Sequence, residues 1–168
     1  MLRIAAMLAV SAIWLAATAA VASAAGPNQD LVSGTGQGDV VTGFGPFFSH
    51  VHVNARGDET DAHGRSWGRF FDTPIGDVAT RGRVFCVNAD GNEAIVGTIT
   101  TRSNTSFLPV GMRNLWKIVD NGQGRHDPPD RVGVFGFPPS TSCPPPALAA
   151  ALPTGAVERG NFVVKDGG

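Results

Sequence analysis

Arg81 to Thr101, RGRVFCVNADGNEAIVGTITT, reads as a β-hairpin. Polar and apolar side chains alternate from Arg83 to Asn88, Ala89-Asp90-Gly91-Asn92 supplies an Asp-Gly tight turn, and alternation resumes from Glu93 to Thr100. A hairpin of this kind needs neighbours for its edges and a second layer for its apolar face. The flanking sequence offers both. Before it, Phe47 to Ala55 alternates, with Phe47, Ser49, Val51, Val53 and Ala55 on the expected core face and Phe48, His50, His52 and Asn54 on the other. After it, Asn114 to Asp120 and Arg131 to Phe137 form a second strand pair, joined by a polar segment too long for a tight turn.

Further out the signals weaken. Leu31 to Gly45 is Gly-rich and reads as two short strands, or as one broken by a bulge near Gly36 to Gly38. Arg56 to Arg65 reads as a polar loop, Trp67 to Asp72 as a short strand, and Thr73 to Thr80 as a connection or an edge strand. Arg102 to Met112 is irregular. The stretch 138–157 is a Pro/Ala-rich arm whose prolines cannot donate to a ladder, so it runs over the surface, with a turn or two of helix from Ala147 to Leu152. Glu158 to Lys165 reads as a final strand beside the N-terminal Gly-rich one, closing the sheet. The fold class is therefore all-β: a single small antiparallel barrel of about seven to nine short strands, with a β-sandwich as the alternative.

Residues 1–24 read as a signal peptide. Arg3 gives a basic start, Ile4 to Ala20 is apolar and uncharged, and Ala22-Ser23-Ala24 offers cleavage between Ala24 and Ala25. A membrane anchor would call for a longer run with flanking charge. The expected product is secreted, a single β domain over 25–168 with no transmembrane segment. In that oxidising setting Cys86 and Cys143 are expected to form one disulfide, fixing the Pro-rich arm to the hairpin. Two sulfurs without C-x-x-C spacing or nearby histidines suit zinc poorly.

Thirteen Lys plus Arg stand against fourteen Asp plus Glu, a balance that gives no electrostatic footprint for nucleic acid or for an anionic membrane. Twenty-two Gly and twelve Pro fit the punctuation of short strands.

VHVNA at Val51 to Ala55, RGRVFCVNADGNEAIVGTI at Arg81 to Ile99, KIVDNG at Lys117 to Gly122 and ERGNFVVKD at Glu158 to Asp166 together resemble a family of small exported bacterial proteins of actinobacterial type. Its members carry V-x-C-V-x-V-x-G-N-x-A and V-x-D-N-G motifs. The resemblance spans nearly the whole mature chain. It implies export and a β-rich fold, and it brings no activity and no catalytic residues. After Asn121 the chain departs from the pattern, with Gln123-Gly124-Arg125 where a Glu-Pro-Gly turn is usual.

Among the residues that carry chemistry, His50 and His52 are two apart on a strand, so both imidazoles share a face, as paired zinc ligands would. No acid or third histidine follows at a fitting spacing. Asp58-Glu59-Thr60-Asp61 and Asp120 to Asp130 are acidic enough to interest calcium, but neither has the spacing of a known calcium loop. His63 and His126 lie in polar loops. Arg56-Gly57-Asp58 and the sequon Asn104-Thr105-Ser106 are short enough to arise by chance. No G-x-S-x-G, S-x-x-K or H-E-x-x-H motif occurs. The sequence thus points to a non-catalytic exported module that meets an extracellular protein or small molecule through loops or a sheet face. The alternative is a small barrel enclosing a ligand, or an interior enzyme site, around His50 and His52.

Overall fold

The computed structural model describes residues 29–124, 126–136 and 140–168; the expected signal peptide and its expected cleavage between Ala24 and Ala25 lie outside them. Eight strands follow in order: β1 (Asp30–Thr42), β2 (Gly45–Gly57), β3 (Ala62–Phe70), β4 (Val78–Asp90), β5 (Glu93–Ser103), β6 (Arg113–Val119), β7 (Arg131–Gly136) and β8 (Gly155–Lys165). Each pairs antiparallel with the next, and β8 returns to β1, so the sheet closes into a barrel. Closure leaves no free sheet edge. The sandwich alternative is set aside. Among the described residues no helix is long and apolar enough to cross a bilayer.

The hairpin forms as expected. Asp90 faces Glu93 across a turn in which Gly91 takes φ 59°, a left-handed conformation that glycine adopts without strain. β1 is one strand with a register shift at Gln37/Gly38, the broken-strand reading rather than two strands. β8 lies beside it. The expected loop from Arg56 to Arg65 is mostly strand, because β2 runs to Gly57 and β3 begins at Ala62. Its polar side chains are the solvent face of a barrel wall, and a wall facing water is polar at every second residue. The arm likewise stops at Thr154, since β8 starts earlier than the sequence signal.

Inward residues fill the barrel unevenly. Towards the end that carries Asp30 and Lys165, Val32, Val53, Val84, Val96, Ile118 and Phe162 are fully buried and close the interior. Phe162 lies over Gly34 and Gly36, where a Cβ would come within 2.7 and 2.9 Å of its ring. Three aspartates seal this end. Asp30 accepts the Ala89 and Gly167 N–H groups, Asp120 those of Gly122 and Val164, and Asp130 those of Asn121 and Phe162.

The arm folds over the outside of β4, β5 and β6, with a 3₁₀ turn at Pro146–Ala149 that overlaps the start of the span expected to be helical. Cys86 and Cys143 are joined as a disulfide, their Cα atoms 5.5 Å apart. A bulge between Val84 and Cys86 turns Phe85 and Cys86 to the outer face, and Gly97 opposite leaves room: a Cβ there would sit 2.4 Å from the Cys86 sulfur. Ile95, Leu115, Ala149 and Leu152 complete this outer cluster. Lys117, on the same face, is buried beneath the arm and donates from Nζ to the Ala149 and Ala150 carbonyls at 3.2 Å, with Glu93 at 3.6 Å. A cation fits there because those carbonyls end the 3₁₀ turn.

Candidate functional site

Away from the sealed end the inward residues of three adjacent strands become small: Ser66 and Gly68 on β3, Thr80 and Gly82 on β4, Thr98 and Thr100 on β5. The space they vacate is a cavity of about 420 Å³, open at the mouth formed by the loops at 43–44, 71–77 and 104–112. Phe47, Phe70, Val78, Leu108, Trp116 and Val134 supply its apolar wall. Its volume falls within the ~300–1,000 Å³ of sites for small molecules.

A polar spot lies on the inner wall. Thr98 Oγ1 accepts the Trp116 indole N–H at 3.1 Å and Thr100 Oγ1 accepts the Asn114 amide at 2.9 Å, which leaves each hydroxyl hydrogen directed elsewhere. Ser66 stands next to Thr98 across Gly82, where a Cβ would lie 2.6 Å from Ser66 Oγ and 3.2 Å from Thr98 Cβ. The spot offers O–H donors to an acceptor on an otherwise apolar guest. Among the described residues Arg81 is the only charged one in the lining, and it is exposed, turned outward between Thr80 and Gly82.

The histidines singled out in the sequence do share a face, as expected, but it is the outer one. His52 stacks on Trp67 (6.5 Å, 22°), and His50 meets the edges of Phe48 and Phe71 at 5.9 and 5.2 Å. His50 and His52 are thus remote from the barrel interior, and aromatic rings, not ligating groups, surround them. Among the described residues no three His, Cys, Asp or Glu side chains converge on a point that would hold a metal. In the first acidic loop Asp58 accepts the Thr60 and Asp61 N–H groups and the Thr60 hydroxyl. The Thr60 N–H leads in holding its carboxyl below the ordinary 3.8. In the second, Asp120 and Asp130 serve the backbone as described above.

Charge gathers locally despite the near-neutral total, although Asp72 and Asp77 stand at the mouth and Arg56, Arg131 and Lys165 near the closed end. The closed end carries Asp58, Glu59, Asp61, Asp90, Asp120 and Asp127, while the outer wall of β3, β4 and β5 carries Arg65, Arg69, Arg81, Arg83 and Arg102. Register sets Arg65 directly opposite Arg83, and Arg81 between Trp67 and Arg102. Among the described residues only Arg69 of these five has a carboxylate partner, Asp77 at 3.1 Å. Trp67, Arg69, Arg81, Arg102 and Asn104 line a shallow groove on this wall.

Sequence reasoning missed the cavity and the groove alike. The signal for the first was the run of small residues at inward positions of three strands, and for the second the arginines at alternate outward positions of two. Compared with protein-family models, curated proteins and solved structures, the chain matches none.

Proposed function

We propose that this protein is an exported, non-catalytic binding module whose barrel holds one small, uncharged, predominantly apolar molecule. The half-empty barrel carries the reading: about 420 Å³ of apolar space, open at one end, where the other half of the same barrel is filled by Val, Ile and Phe. A cavity of that size left empty forfeits the contacts that a close-packed interior would make. A guest restores them. Selectivity comes from the hydroxyls of Ser66, Thr98 and Thr100, which favour a carbonyl, ether or hydroxyl oxygen on the guest's inner end and give a charged group no counter-ion.

The test uses phenylnaphthylamine, an uncharged fluorescent hydrophobe, with energy transfer from Trp116 as the readout. Saturable binding by the native chain is expected, and Val134→Phe, which places a ring in the cavity, should weaken it by about tenfold or more, ~1.4 kcal/mol or greater. Equal binding by both proteins would remove the cavity as the site. Native mass spectrometry of protein taken from culture medium asks the same question without a probe: a mass shift lost on denaturation identifies the natural guest.

A further inference from the structure

The apolar lining of the mouth continues onto its outer rim. Phe44, Ile75, Phe107 and Val110 project from three separate loops and are 67%, 54%, 48% and 68% exposed. Phe44 and Phe107 touch edge to face at 4.9 Å, joining two of those loops. Asn104 joins the other two, accepting the Ala79 N–H and donating to the Asp77 carbonyl. These side chains therefore stand on a braced rim, exposed where burial would favour them.

Directly below the loops bearing Ile75 and Phe107 lies the arginine wall. Arg81 and Arg102 face each other across β4 and β5, because a register shift at Arg81/Gly82 brings Arg102 opposite Arg81. Arg65 and Arg83 face each other on the row beneath. Like charges directly opposite on neighbouring strands are destabilising, so this arrangement calls for an external anion. Asp72 and Asp77 stand on the 71–77 loop itself, Asp77 paired with Arg69, while the larger group of carboxylates lies at the other end of the molecule, away from the rim.

We propose that the rim and the β3–β5 wall together dock the protein on an anionic phospholipid bilayer. Apolar tips on separate loops enter the interface, and the arginines lie at the level of the headgroup phosphates. Five arginines on the wall place it beside headgroups rather than in hydrocarbon. Docked this way the mouth opens into the apolar layer, with the acidic end towards water. Repulsion between the acidic end and an anionic membrane fixes that orientation. The inference stands apart from what occupies the cavity.

Flotation with vesicles of phosphatidylcholine alone, or containing one-third phosphatidylglycerol, tests it. Binding to the anionic vesicles is expected, falling as salt rises. The R81Q/R102Q variant should lose about tenfold or more of that partitioning, and F107S/V110S should lose binding to both vesicle types. Both variants change exposed side chains, and a circular dichroism spectrum and urea midpoint like those of the native chain show that they are folded. Val134→Phe should keep vesicle binding while losing the probe, so the two proposals fail separately. Native protein left in the unbound fraction with both vesicles would overturn docking. So would binding to soluble polyphosphate that F107S/V110S leaves unchanged, which makes the wall a site for a free polyanion. Light scattering that finds a dimer abolished by F107S/V110S would assign the rim to a second copy of the chain and overturn docking equally.

Discussion

Asp130 joins two parts of the chain that no ladder joins. Buried, it accepts the Asn121 N–H at 2.9 Å and the Phe162 N–H at 2.6 Å, and Phe162 is itself wholly buried. Removing the carboxylate strands a buried donor, so Asp130→Ala should lower stability by about 3 kcal/mol in urea unfolding, with the slope unchanged. Asp58 is the contrasting case, an exposed carboxylate held by its own turn. Its folded pKa is depressed below the unfolded 3.8, so its contribution is present above that value and disappears as pH falls through the lower folded one. A carboxyl-carbon titration by NMR should show its midpoint below 3.8, and T60A, which removes the hydroxyl but keeps the N–H, should raise that midpoint only part of the way. Neither role was legible in the sequence, where both residues stood in acidic loops that suggested calcium. Which backbone N–H a carboxylate meets depends on chain segments far apart in sequence.

At the scale of the element, β4 shows what one inserted residue does. The bulge at Phe85 sets two consecutive side chains on the outside, which puts Cys86 under the arm rather than in the core. Replacing both cysteines with alanine should lower stability by roughly 4 kcal/mol on the loop-entropy account, and reductant should do the same to the native protein. The same change frees the arm, so amide exchange should quicken at Gly97, whose N–H points at the Cys143 sulfur at 3.1 Å. β1 offers a second test. A Cβ on Gly34 would sit 2.3 Å from the Asn161 carbonyl oxygen and 2.6 Å from the Phe162 Cα, both backbone, so Gly34→Ala should destabilise by about 2 kcal/mol or more in thermal or urea unfolding. The hairpin, the β2 alternation and the pairing of the last strand with the first could all be read from sequence, because each rests on local periodicity or on a lone partner. The extent of β3 could not, since its outward His63, Arg65, Trp67 and Arg69 resemble a polar loop until the wall around them is known.

For the whole molecule, a guest that binds only the folded barrel adds stability by mass action, about 2.7 kcal/mol at a hundred times its Kd. A calorimetric scan at that concentration should show Tm raised by roughly 9 °C, with the shift absent in Val134→Phe. Composition and periodicity by themselves determined that this chain is all-β, and they favoured a sheet closed by its last strand with a sandwich as the alternative, because alternation, turn residues and glycine act over a few neighbouring residues. Only the tertiary structure decided that the barrel is half filled, and that His50 and His52 face away from its interior. It also decided where charge gathers: of thirteen positive and fourteen negative groups, five arginines share the β3–β5 wall and six carboxylates the closed end. Net charge is a sum, and a sum carries no position. A cavity, in turn, is made of side chains too small to meet, and whether Ser66, Gly82 and Thr98 face one another is settled by register and closure, which no single strand contains.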